Sequence, residues 1–182
     1  QRQMCIRDRY IGHPNNKVAG VEMNTGALGH GLAIGVGLAI AAKKMGQDYR
    51  TYVLMGDGEL AEGSIWESAM AAGHYKLDNL CAIVDRNHLQ ISGCTETVMT
   101  LEDLKGKWQM FGFEVIEIDG NNYEEIINAF TQAKAIKNKP SLILANTVKG
   151  KGVSFMENQA SWHHGVLDAV QYKQALMELG DL

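Results

Sequence analysis

The sequence predicts an α/β fold, in which a three-layer, doubly wound and mostly parallel sheet carries helices on both faces. Short apolar runs alternate along the chain with longer segments of helical periodicity. Glycine, proline and polar turns separate these segments. Parallel strands need long crossover connections, so this alternation is typical of a parallel sheet. The 182 residues are enough for one domain with a sizeable core.

The first elements are a helix, a strand and a second helix. Small and apolar residues over 27–45 form a stretch too long for a strand, which predicts a buried helix. The apolar run 52–55 ends in a Gly-Asp-Gly turn and is predicted as a buried strand. A helix is predicted over 62–75. One face of that helix is expected to carry Ile65, Ala69, Ala72 and Tyr75.

The rest of the chain continues the alternation. Strands are predicted over 80–84, 113–118 and 141–148, and helices over 100–111, 123–137 and 168–179. Thr100 and Asp103 resemble a capping box at the start of one helix, and Asp168 begins the last. A loop is expected over 149–165. The helix 123–137 should turn four residues inward, namely Ile126, Ile127, Phe130 and Ala133.

Composition excludes several classes of function. The net charge of −4 and the absence of basic runs argue against nucleic acid and anionic membrane partners. No stretch approaches the roughly 18 apolar residues of a membrane span. The three cysteines form no C-x-x-C pair, which favours a reducing compartment, and we expect a cytoplasmic protein. Residues 1–11 lack periodicity and are expected to be a non-native or disordered leader before a domain over 12–182.

The chemistry centres on two strand ends. Gly56-Asp57-Gly58-Glu59 closes one predicted strand and Asp85-Arg86-Asn87 closes the next. Mg²⁺ prefers hard oxygen ligands, which the Asp57 carboxylate, the Asn87 amide and a main-chain carbonyl such as that of Leu89 can supply. Diphosphate oxygens and water would complete the octahedron. Gly56 and Gly58 would let the backbone approach a phosphate.

This pair of motifs resembles the thiamine diphosphate motif, and the wider match is to transketolases. The shared segments, in family order and spacing, are 12–14 (GHP), 20–29 (GVEMNTGALG), 56–63 (GDGELAEG), 66–67 (WE), 85–87 (DRN), 148–152 (VKGKG) and 162–165 (WHHG). The resemblance implies the N-terminal, diphosphate-binding domain or subunit of such an enzyme. It also implies an upstream helical segment, so we expect an N-terminally truncated domain.

The resemblance implies roles for individual residues. Asp57 and Asn87 would bind the metal (Mg²⁺, or Ca²⁺ or Mn²⁺), and Glu59 belongs to the same motif. Gly26 and Leu28 would contact the diphosphate and the aminopyrimidine through their main chain. From the residues alone, Gly26 could equally be a helix N-cap.

Four further residues would take part in catalysis. His13 would lie near the thiazolium and the donor sugar, and His164 would handle substrate protons, although the neighbouring His163 is an alternative. Glu62 and Glu67 would link two active sites at a dimer interface through shared protons. From the residues alone, His13 fits a turn and the two glutamates fit a solvated helix start.

The implied reaction moves a two-carbon ketol unit from a ketose phosphate to an aldose phosphate. The glutamate that activates the cofactor belongs to a pyrimidine-binding domain, so a C-terminal subunit is the expected partner, in a dimer of such pairs. Two alternatives remain open at this stage. One is a 1-deoxy-xylulose-5-phosphate synthase fragment, and the other is a non-catalytic thiamine diphosphate-binding subunit.

Overall fold

The computed structural model describes residues 12–180, so the prediction of a leader over 1–11 lies outside the described residues. In chain order the elements are α1 Gly31–Met45, β1 Thr51–Gly56, α2 Gly63–His74, β2 Leu80–Arg86, β3 Leu89–Gln90, β4 Gly93–Cys94, α3 Thr95–Val98, α4 Leu104–Met110, β5 Glu114–Asp119, α5 Tyr123–Ala135, β6 Ser141–Asn146 and α6 Ala169–Leu179, with 3-10 helices at Asp57–Ala61 and Ala160–His164.

A four-stranded sheet of order β1-β2-β6-β5 organises the fold, and every pairing in it is parallel. Gly56 at the end of β1 lies opposite Asp85 in β2, and Arg86 lies opposite Asn146 in β6. The carboxyl ends of these strands therefore meet along one edge of the sheet. Ligands of open α/β sheets bind beyond that edge.

Helices cover both faces of the sheet, which confirms the three-layer prediction. Side chains alternate between the faces along each strand. One core lies between the sheet and helices α1, α2 and α4. It contains Val53, Met55, Leu80, Val84 and Leu142 among others. The second core lies under α5 and includes Cys81, Ile118 and Ile143.

Helix α1 packs closely on β1 because glycine lies at the contact. A Cβ on Gly35 would overlap Cγ2 of Val53, and one on Gly31 would lie 3.5 Å from Cγ1 of the same residue. The helix begins at Gly31 rather than at the predicted residue 27. Gly26 and Gly29 have φ of +111° and +79°, which a right-handed helix cannot contain.

The predicted capping box at Thr100 is wrong. Helix α4 begins only at Leu104, and Asp103 is its N-cap, since its carboxylate accepts the N–H of Gly106 at 2.9 Å. The Thr100 hydroxyl instead donates to Oε2 of Glu96 at 2.5 Å. A side-chain bond to an earlier residue thus replaces the helical turn that the sequence pattern indicates.

Two residues predicted to face inward are exposed. Tyr75 is 56% exposed because it is the C-cap of α2 and lies beyond the helix's last packed turn. Ile127 is 64% exposed because Ala129 and Ala133 form the buried stripe of α5, which leaves Ile127 outside it. The sheet-facing side of α5 is therefore built on alanine, with Ile126 and Phe130 at its margin.

The segment that joins β2 to α4 contains elements that periodicity does not predict. A two-stranded antiparallel hairpin, β3–β4, and the short helix α3 lie there. At the other end of the domain, Asp168 caps α6 as predicted and accepts the N–H groups of Val170 and Gln171. No helix within residues 12–180 combines the length and the apolar character needed to cross a membrane.

Candidate functional site

The turn that follows β1 holds a buried carboxylate. Asp57 is 1% exposed and opens the 3-10 helix Asp57–Ala61. Its Oδ2 accepts two hydrogen bonds, from Nη1 of Arg86 at 3.0 Å and from the N–H of His88 at 2.7 Å. Its Oδ1 accepts one, from the N–H of Gly58 at 2.8 Å. A carboxylate offers about four lone-pair directions, so Oδ1 keeps one for a further ligand.

Asn87 lies beside Asp57 because β1 and β2 end together. It directly follows β2, and its Oδ1 accepts the N–H of Leu89 at 3.0 Å, which fixes the turn into β3. The structure therefore brings both predicted metal-binding side chains to the same sheet edge. Leu89 is the first residue of β3, and its role as a carbonyl ligand stays a prediction.

These donors fit a hard divalent cation. Carboxylate and amide oxygens are the ligand types that Mg²⁺ takes from proteins, and Mg²⁺ usually keeps phosphate and water ligands as well. Within the described range 12–180, no three His, Cys, Asp or Glu side chains come together as a metal site. An ion at Oδ1 of Asp57 would draw its remaining ligands from Asn87, the main chain, a diphosphate and water.

The two motif glycines have different surroundings. A Cβ on Gly56 would meet no atom within 4 Å, so this backbone is open to a ligand. A Cβ on Gly58 would lie 2.7 Å from Cβ of Gln90. Gly58 is thus required by packing of the β3–β4 hairpin on the turn, a reason that the motif alone does not indicate.

Glu59 joins this turn to the loop before α1. Its Oε1 accepts the N–H of Gly29 at 2.8 Å and its Oε2 accepts the N–H of Gly56 at 3.3 Å. Ser64 completes the attachment by donating its hydroxyl to the Gly29 carbonyl at 2.8 Å. We call the Glu59 and Ser64 contacts with Gly29 the glycine clamp. The Glu59 carboxylate binds protein amides here, and a direct cofactor contact stays a prediction.

The glycine clamp holds residues 26–29, which we call the predicted diphosphate loop, at the carboxyl edge of the sheet. Gly26 is not a helix N-cap, since His30 occupies that position before Gly31. Gly26 instead adopts a turn with φ of +111°, and a Cβ there would lie 3.2 Å from Cδ2 of His13. Leu28 is 57% exposed on the same loop. The structure therefore places His13 against Gly26, with Leu28 on the same loop, and the roles of these three residues stay predictions.

The C-terminal loop reaches the same region. The 3-10 helix Ala160–His164 contacts β3, the strand that follows Asn87. Trp162 anchors it by donating Nε1–H to the Phe155 carbonyl at 3.0 Å. The rings of His163 and His164 meet edge to face, with centroids 4.6 Å apart, and both residues are exposed. Partial burial lowers the pKa of His163, and the charges of Lys149 and His164 lower it further.

Glu62 and Glu67 lie at the start of α2 and one turn later, on the exposed surface. Neither side chain makes a hydrogen bond or ion pair within residues 12–180. Glu62 packs its aliphatic part on the predicted diphosphate loop, where a Cβ on Gly29 would lie 2.7 Å from Cβ of Glu62. The predicted role of both glutamates at a subunit contact stays a prediction.

One group beside the site has no predicted role. Arg86 is 7% exposed and bonds Asp57, Thr95 and Glu96 at once. Glu96 accepts from the Thr100 hydroxyl and from Arg86, and these bonds, in that order of size, lower its pKa to about 2. The only sign of this network in the sequence is an arginine next to an aspartate at the end of an apolar strand. Buried charges are almost always paired, so an arginine at such a position indicates a nearby acidic partner.

Comparisons with known proteins agree with this geometry. The family model of the transketolase thiamine diphosphate-binding domain matches residues 2–181. The chain is 56% identical over 170 residues to an apulose-4-phosphate transketolase subunit of Phocaeicola vulgatus, and the match covers 93% of this chain and 60% of that protein. It is 45% identical over 163 residues to the 6-deoxy-6-sulfo-D-fructose transketolase subunit of Clostridium sp., covering 90% of this chain and 59% of that protein.

The fold is shared with solved transketolases. The crystal structure of transketolase from Campylobacter jejuni superposes with a TM-score of 0.87 at 38% identity, over 96% of this chain and 28% of that one. The chain thus spans about three fifths of the two subunits and little more than a quarter of the longer enzyme. By its motifs, its site and these matches, the chain belongs to the transketolase family, of which it is the N-terminal, thiamine diphosphate-binding domain.

Proposed function

We propose that this chain works as the diphosphate-binding part of a two-subunit transketolase. With Mg²⁺ and thiamine diphosphate it moves a two-carbon ketol unit from a ketose phosphate to an aldose phosphate. The observation that carries the proposal is the meeting of Asp57, Asn87 and the clamped Gly26–Gly29 loop at one sheet edge. The names of two relatives support a sugar substrate, namely apulose-4-phosphate in one and 6-deoxy-6-sulfo-D-fructose in the other.

The residues of this chain have the task of holding and orienting the cofactor. Oδ1 of Asp57 and the Asn87 amide would hold the cation against the diphosphate. The open backbone at Gly56 and the loop at Gly26 allow a phosphate to approach main-chain N–H groups. The chemistry that bound thiamine diphosphate supplies is a carbon nucleophile that also accepts the electrons of the broken carbon–carbon bond.

We assign proton transfer to the exposed histidines His13 and His164. His13 packs on Gly26 at the diphosphate loop, and His164 lies on the C-terminal turn against β3, so both border the same edge. An imidazole titrates near neutral pH and can exchange protons with substrate hydroxyls. The pKa of His163 is lowered, chiefly by partial burial, which favours the neutral form of that ring.

A partner chain with the pyrimidine-binding domain would complete the site. Two relatives, from Phocaeicola vulgatus and Actinobacillus succinogenes, are named as transketolase subunits, which supports a division of the enzyme between chains. We place Glu62 and Glu67 at the contact between two such pairs, where shared protons would link the sites. Close carboxylates can share a proton because both ionise together only at a cost.

Co-expression with the partner subunit tests the proposal. The complex should transfer a ketol unit between sugar phosphates in the presence of Mg²⁺ and thiamine diphosphate, and the chain alone should not. Asp57→Asn should weaken metal-dependent cofactor binding in calorimetry, because the neutral amide keeps an oxygen ligand but lacks the negative charge of the carboxylate. Binding without turnover in the parent complex would identify a non-catalytic subunit instead. Unchanged affinity in Asp57→Asn would remove the metal assignment.

A further inference from the structure

Arg86 is a buried arginine whose side chain bonds the predicted metal ligand and a loop at the same time. Its Nη1 donates to Oδ2 of Asp57 at 3.0 Å and to the Thr95 hydroxyl at 2.9 Å. Its Nη2 donates to Oε1 of Glu96 at 2.7 Å. The two ends of the guanidinium therefore have different partners, and the planar group cannot turn without breaking at least one of these bonds.

The loop residues that bind Arg86 are held by further contacts. The Glu96 carboxylate accepts the Thr100 hydroxyl at 2.5 Å and the N–H groups of Leu101 and Glu102 at 3.2 and 3.4 Å. Thr95 is completely buried. Arg86 is thus bound to a segment that has hydrogen bonds of its own, and this segment supports the guanidinium on the side away from Asp57.

These contacts determine which oxygen of the Asp57 carboxylate can face a ligand. Arg86 and the N–H of His88 occupy Oδ2, so only Oδ1 is left to face a ligand. We propose that Arg86 is a positioning residue for the divalent cation, which fixes the rotation of the Asp57 carboxylate and leaves Oδ1 as the metal-binding atom. This inference rests on the proposed function, since it needs the cation at Asp57.

The positive charge of Arg86 should weaken cation binding, whereas its positioning of Asp57 should strengthen it. A guanidinium next to a metal ligand repels a divalent cation. If repulsion decided the affinity, replacing Arg86 with a neutral residue would strengthen Mg²⁺ binding. If positioning decides it, the same replacement weakens binding. Loss of a group that orients a metal ligand typically costs 10- to 100-fold in metal affinity, and this sets the expected size of the effect.

Three variants of the complex with the partner subunit separate these effects. Arg86→Met removes the charge and the bonds. Arg86→Lys keeps the charge but has one nitrogen in place of the two that bind Asp57 and Glu96, and it remains informative if Arg86→Met fails to fold. Ile143→Ala is a control for lost stability, because Ile143 is 1% exposed in the other core, away from the site. Mg²⁺ affinity is measured by calorimetry at saturating thiamine diphosphate, together with the melting temperature without metal.

Both Arg86 variants should bind Mg²⁺ about 10- to 100-fold more weakly than the parent. Ile143→Ala should melt earlier and bind Mg²⁺ like the parent. Parent-like or tighter binding by both Arg86 variants, or an equal loss in Ile143→Ala, would overturn the role of Arg86 alone. A parent complex that binds the cofactor without any need for metal would overturn the proposed metal site and this inference together.

Discussion

Replacing Gly29 with alanine tests whether the glycine clamp positions the diphosphate loop. Gly29 has φ of +79°, and a Cβ there would lie 2.7 Å from Cβ of Glu62 and 2.9 Å from Oγ of Ser64. The left-handed backbone costs an L-residue about 1–2 kcal/mol. Overpacking of a filled space adds about 1–3 kcal/mol. We therefore expect Gly29→Ala to lower the free energy of unfolding by about 2–5 kcal/mol.

Gly46 provides a matched control. Its φ of +64° is also left-handed, but a Cβ there would meet nothing within 4 Å. Gly46→Ala should therefore cost only about 1–2 kcal/mol, the backbone part of the effect. Urea unfolding at constant m-value measures both variants.

Cofactor binding separates the two variants further. An alanine at Gly29 can be accommodated only if the loop moves away from Glu62 and Ser64. Such a movement would disturb the clamp bonds of Gly29 to Glu59 and Ser64, which are both 2.8 Å long. Gly29→Ala should therefore weaken thiamine diphosphate binding, and Gly46→Ala should not. Equal losses of stability in the two variants, with parent affinity in both, would refute the reasoning about the clamp.

Three further outcomes are expected. His164→Ala should lower the turnover of the complex by about 100-fold or more with little change in melting temperature, and His163→Ala much less; the reverse order in steady-state kinetics would assign the role to His163. Glu96 has a folded-state pKa of about 2 against an ordinary 4.5, so the stability it contributes is present above pH 4.5 and is lost as the pH falls through 2. Glu96→Gln should therefore flatten the fall of melting temperature with pH in that window, and parallel curves for parent and variant would exclude this contribution. Replacing Glu62 and Glu67 with glutamine should weaken assembly in sedimentation velocity, and an unchanged profile would place them outside the interface.

The main elements of the fold were predictable because their patterns are strong. Apolar runs long enough for buried strands, separated by periodic stretches of a dozen residues, indicate the sheet and its layers directly. Boundaries failed where a local bond competes with periodicity. Thr100 bonds Glu96 instead of a helix end, and the positive φ of Gly26 and Gly29 delays α1. The β3–β4 hairpin has two residues in each strand, too few to show any period.

The site was predictable only in its outline. Motif order places Asp57 and Asn87 on neighbouring strand ends, and the structure agrees. The bonds that hold them are less visible, because Arg86 is 29 residues from Asp57 and Glu59 is 30 residues from Gly29 in the chain. Such contacts depend on the three-dimensional meeting of loops, which no local pattern encodes.

The short 3-10 helix Asp57–Ala61 brings several residues of the candidate site together within 5 positions of the chain. It begins with the predicted metal ligand and contains Glu59, and Glu62 follows directly as the cap of α2. A 3-10 helix advances one third of a turn per residue. Deleting a single residue here would rotate Glu59 and Glu62 by about 120° relative to Asp57. This stretch should therefore be especially sensitive to changes in length, and engineered insertions in this domain belong elsewhere.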